Sequence, residues 1–95
     1  MNKLIKTYLG FSIKSKSIVI GQDRLKDCKE KVYLLIYCDS ASANLKDLVS
    51  RLANKFNCKA LKLDDKLEYY TNIQGCKVLG LTNKSLADAI IKVVD

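Results

Sequence analysis

The chain has no histidine, no proline and only four glycines among its 95 residues. Without histidine, Ser–His and Cys–His nucleophilic arrangements are excluded, and no carboxylate pair stands in a recognisable acid–base motif. Glycine is too sparse for a phosphate-cradling G-x-x-x-x-G-K-[ST] loop, and Gly21 alone cannot make a dinucleotide fingerprint. No apolar run approaches the roughly 18 residues that a membrane span needs. The first 14 residues alternate lysines with apolar side chains instead of forming a signal peptide's apolar core. The four cysteines, Cys28, Cys38, Cys58 and Cys76, include no CxxC pair, so a structural zinc site lacks its usual close ligands. A disulfide framework has no support either, and four reduced, mostly buried thiols are expected. These absences describe a cytoplasmic, non-catalytic protein with no cofactor, no metal, no membrane and no small-molecule substrate.

What is present is apolar residues and positive charge. A hydrophobic content of 48% in 95 residues suffices for one domain with one core, spanning 1–95. The net charge of +7 is unevenly spread. Lys3, Lys6, Lys14, Lys16, Arg24, Lys26, Lys29 and Lys31 face only Asp23, Asp27 and Glu30 in the first third of the chain. Such a patch attracts phosphate polyanions by counterion release. Its focus is the stretch KSIVIGQDRLKD, residues 16–27: a short apolar strand, then Gly21, then a helix start whose N–H groups and dipole favour an anion.

Periodicity orders the rest. Leu4, Ile5, Tyr8, Leu9 and Ser12 recur at helical spacing and predict a first helix over 2–13. Residues 17–20 read as a strand, and a short helix follows to about Lys29 with Leu25 and Cys28 inward. VYLLIYC, residues 32–38, is a continuous apolar run suited to a central strand covered on both faces. Leu45, Leu48, Val49, Leu52, Ala53 and Phe56 trace a helix that Ser42 or Asn44 can cap and Asn57 can end. Residues 60–63 alternate as a strand with Leu61 and Leu63 inward. Asp64–Asp65 is read as a turn and cap for a short helix over 66–70, in preference to a metal site. KVLGL, residues 77–81, is the last strand. Asn83 then caps a final helix that turns Leu86, Ala87, Ile90, Val93 and Val94 inward. The order α-β-α-β-α-β-α-β-α with short connections predicts an α/β fold, a three-layer α/β/α sandwich around a four-stranded mixed sheet. Tyr33 and Tyr37 fall in the central strand, where core packing is the default. Tyr69 and Tyr70 are the more open candidates for stacking on bases.

Three stretches carry a resemblance: YLGFSIKSKSIVIGQDRLK, VYLLIYCDSASANLKDLVSRLANKFNCKALKL and KVLGLTNKSLADAII. In order and spacing they resemble the ribosomal protein L7Ae family, a kink-turn RNA-binding superfamily, and most closely its small bacterial ribosome-associated members. The resemblance implies an L7Ae-like sandwich that binds RNA, in many members at a kink-turn with tandem sheared G·A pairs. Its grip lies in a G-x-N-E-x-x-K segment after the first strand, and a second, apolar loop before the last strand covers a bulged base. Gly21 matches the glycine. Asp23 stands at the asparagine position, Arg24 at the glutamate position and Asp27 at the lysine position, with Lys26 one place early. Asp23 cannot supply asparagine's donor, and Arg24 donates where glutamate would accept, so the strict kink-turn code is absent. The second loop, NIQGCKV, looks shortened.

The basic flank survives those changes. Lys14, Lys16, Gly21, Gln22, Asp23, Arg24, Lys26, Lys29 and Lys31 form the candidate RNA-binding set, and phosphate contacts there would give affinity with weak sequence information. The expected partner is structured RNA: ribosomal RNA or a kink-turn-like element, with the ribosome as its setting. The alternative is a protein-interaction module on the same fold that has lost specific RNA readout.

Overall fold

In the computed structural model, which describes residues 2–94, Asn2 starts the first helix. Its side-chain oxygen accepts the backbone N–H groups of Leu4 and Ile5 at 2.9 and 3.2 Å, two of the donors a helix start leaves unpaired. Helix α1 (Lys3–Lys14) closes with Lys16 in the left-handed region at φ 57°. The Lys16 N–H donates to the Ile13 carbonyl, and the Ser17 N–H to that of Ser12. This is the Schellman closure, with a lysine where glycine is usual. It sends the chain into β1 (Ile18–Ile20), and Gly21 then opens α2 (Gln22–Asp27).

The remaining elements are β2 (Leu34–Cys38), α3 (Ala43–Phe56), β3 (Lys59–Leu63), α4 (Leu67–Thr71), β4 (Val78–Leu81) and α5 (Lys84–Val94). Ser42 caps α3 by accepting the Leu45 N–H at 3.2 Å, and Asn57 ends it in the left-handed region. Asn83 accepts the Leu86 N–H at 3.1 Å at the start of α5.

The sheet runs β1-β4-β2-β3, with β2–β3 parallel and β4 antiparallel to both β1 and β2. It is the mixed, four-stranded sheet that the alternation predicted. Strand period sorts the core into two layers. Leu34, Ile36 and Cys38 of β2 and Leu79 and Leu81 of β4 pack with α1, α4 and α5. On the other face Leu35 of β2 and Val78 of β4 pack with Leu25 of α2 and Val49, Leu52 and Phe56 of α3. That second layer positions the candidate site. Among the described residues no helix is long and apolar enough to cross a membrane.

Four expectations need correction. Leu4 is 55% exposed, because the face of α1 that meets the core runs through Ile5, Leu9 and Ser12, and Leu4 is turned about 100° from Ile5. Val94 is also exposed, a full turn past Ile90 on the same face and beyond what the core covers. Tyr70 is buried, not open: its hydroxyl donates to Asp65 Oδ2 at 3.1 Å and accepts the Asn2 N–H at 3.2 Å. Asp64–Asp65 bends the chain but does not cap α4, whose N-cap is Lys66 with no side-chain bond.

The cysteines are free thiols, with Cys38 and Cys76 buried and Cys28 and Cys58 half-buried. Burial pushes the thiols of Cys58 and Cys76 and the phenol of Tyr70 above their ordinary values. Each group therefore holds its proton longer in the folded chain than in the unfolded one. The stability they contribute is complete below the ordinary thiol value of 9.0 and is lost as pH rises through the raised folded values. The melting temperature should accordingly fall steadily above about pH 9. Thermal melts from pH 7 to 11 read this directly, and a flat profile would contradict it.

Candidate nucleic-acid interface

Gly21 has φ 95° and ψ 150°, a conformation open only to glycine. A Cβ would meet nothing within 4 Å there, so the requirement is conformational and not one of space. The Gly21 N–H donates to the Val78 carbonyl at 3.1 Å, tying the junction to β4. That donor is thus spent inside the fold, and α2 has only six residues. The side chains, more than the helix start itself, supply the positive field at this end.

Leu25 is the buried residue of α2, and the rest of the short helix points outward. Three grooves surround it. One, about 470 Å³, joins Gly21, Gln22, Asp23 and Arg24 to Leu45 of α3 and to Gly75 and Lys77 of the loop before β4. A second, about 460 Å³, runs along the β1 side and brings Lys16, Arg24 and Lys29 together with Thr82. The third, about 830 Å³, lies at the far end of α2 and gathers Lys26, Lys29, Lys31, Lys55 and Phe56. Arg24 is common to the first two, and the 27–30 segment to the last two, so the grooves form one belt.

The fold brings eight of the nine residues in the predicted set into this belt. Lys14 is the exception: exposed on the last turn of α1, it lines none of the three grooves. Sequence reading missed Leu45, Lys55, Phe56, Gly75 and Lys77. The loop that carries Gly75 and Lys77 was identified, but its approach to Gly21 depends on β4 lying beside β1, which no local pattern reports. In that loop Gly75 takes φ 80°, and its N–H donates to Glu68 at 2.9 Å.

Acidic residues are interspersed, with Asp23, Asp27 and Glu30 among the lining. Basic ones outnumber them in every groove. Among the described residues, the lysine–aspartate ion pairs join Lys46 and Lys62 to Asp39, and neither involves a residue of the belt. Among the described residues no ion pair with an acidic side chain neutralises the cations of the belt. No group of metal-ligating side chains assembles among the described residues.

A mixed four-stranded sheet between two helical layers, with a basic belt around one short helix, defines an α/β/α sandwich with a cationic edge. No family model and no curated protein matches the chain. Among solved structures, a protein of unknown function from Bacillus halodurans is similar at a TM-score of 0.81 and 12% identity, over 96% of each chain. At that identity the likeness is one of fold.

Proposed function

We propose that this protein is a non-catalytic, cytoplasmic binder of structured RNA, ribosomal RNA or a kink-turn-like element, on an L7Ae-like fold. The observation that carries this reading is the continuous belt of basic grooves around α2, entered at Gly21 and open to solvent. Guanidinium and ammonium groups there can take phosphate oxygens, while Asp23 and Gln22 offer acceptors and an amide to unstacked bases. Because Asp23 and Arg24 reverse the donors and acceptors that a kink-turn reader uses, recognition rests on bend and backbone more than on the G·A edges.

The test is a salt titration of binding to three RNAs: a kink-turn, the same RNA with its G·A pairs replaced, and a plain duplex of equal length. The kink-turn should bind more tightly than the other two RNAs, and the preference should persist as salt rises. Equal binding to all three, falling steeply with salt, would reduce the belt to a general phosphate-attracting face. The second reading, a protein-interaction module, draws on the same Asp23 and Arg24 positions. A stoichiometric protein partner recovered after nuclease treatment, with no preference among the RNAs, would favour it.

A further inference from the structure

Lys55 lies on α3, outside the segment to which the RNA reading points, yet it is the most firmly held cation of the belt. Its Nζ donates to the Lys26 carbonyl at 2.7 Å and sits 5.0 Å from the centre of the Phe56 ring. An ammonium has three donors, so two stay available. Across the same groove Lys31 is held 5.6 Å over the Tyr33 ring. Surface lysines ordinarily lose considerable side-chain entropy when they grip a ligand. Here two of them are already restrained over aromatic faces, with Lys26 and Lys29 on the same wall.

The groove is also in the right place. Helix α2 has six residues, a length of about 9 Å. It separates the Gly21 end from the Lys31–Lys55 end, and the wall between them is continuous through Lys29. An RNA held at Gly21 and continuing along α2 would carry further backbone phosphates into this second groove.

We propose that the groove between the C-terminal ends of α2 and α3 is a second phosphate-binding contact. It takes the backbone of the helical stem leading away from the RNA element held at the Gly21 junction, with Lys31 and Lys55 as its principal cations. The inference rests on the RNA reading and adds to it a requirement for stem length. It also gives Lys55 a role beyond closing a carbonyl at the end of α2.

The experiment compares wild type with the Lys31→Gln, Lys55→Gln double variant on two bent RNAs that differ only in stem length. Glutamine removes the charge while keeping a polar side chain, and thermal melts confirm that the variant is folded. Wild type should bind the long-stem RNA more tightly than the short one. For the variant, long-stem affinity should fall about 10-fold more than short-stem affinity, and the long-stem salt slope should drop by about 2. Equal affinity of wild type for the two stems, or a variant that binds both as wild type does, would overturn the second contact and leave the Gly21 contact standing. A lower melting temperature with unchanged binding would make Lys55 a helix-end lysine only. If wild type bound neither RNA, the RNA reading and this one would fall together.

Discussion

Reversing two charges, Arg24→Glu with Lys26→Glu, should weaken binding to a bent RNA about 100-fold at physiological salt and lower the salt slope by about 2. Arg24 lines both grooves at the Gly21 end, and Lys26 lines the groove at the far end, so the pair cuts the belt at both sides of α2. Both side chains are exposed, and Leu25 between them carries the packing. Two acids near the end of a short helix oppose its dipole by about 0.5 kcal/mol each, so the melting temperature should drop only slightly. The control is Lys84→Glu with Lys92→Glu on α5, in the opposite layer, which changes net charge equally. If affinity followed net charge alone, the two double variants would bind equally weakly. A loss confined to the α2 variant would place the contact at the belt.

The local signals that succeeded share one property: they were set by residues close together in sequence. Asn2, Ser42, Asn57 and Asn83 end or begin helices through bonds to their own neighbours, and the stripe from Leu45 to Phe56 follows from helical period alone. The unbroken run from residue 34 to 38 is an interior strand because both of its faces are covered. What escaped was tertiary. The periodicity of α1 could not say which side of its stripe meets the sheet, and Leu4 lies outside it. Tyr69 and Tyr70 are adjacent in one helical turn, yet only Tyr70 finds Asn2 and Asp65, residues brought to it by α1 and by the bend before α4. Of the candidate site, the segment 21–31 was legible as charge on a short helix. Lys55 and Lys77 were not, because α3 and the loop before β4 reach it only through the order of strands in the sheet.

The site depends on a single apolar anchor. Leu25, fully buried, is the buried residue that α2 contributes to the core, and Gly80 of β4 lies beneath it. A Cβ on Gly80 would come within 2.8 Å of Leu25 Cδ2, 2.9 Å of Val32 Cγ1 and 3.4 Å of Leu35 Cδ2. The leucine can swing aside, but the β-branched valine has little rotameric freedom. Gly80→Ala should therefore cost about 1–3 kcal/mol by overpacking. Leu25→Ala, which leaves a cavity in the same place, should cost about 2–5 kcal/mol. One kcal/mol corresponds to roughly 4–8 °C in a domain of this size, so either loss is measurable by thermal melt. The two substitutions are also coupled. Removing the leucine methyls clears the 2.8 Å contact and opens a cavity into which Val32 can yield, so the double variant should be about 1 kcal/mol more stable than the sum of the single losses predicts. Strict additivity would mean that Leu25 does not press on Gly80 and that α2 is held to the sheet by something else. With Leu25 shortened, α2 should also lose its fixed height above β4, and RNA affinity should fall even where the chain remains folded. A Leu25→Ala protein that is folded and binds as wild type would show that the belt does not need a rigid α2.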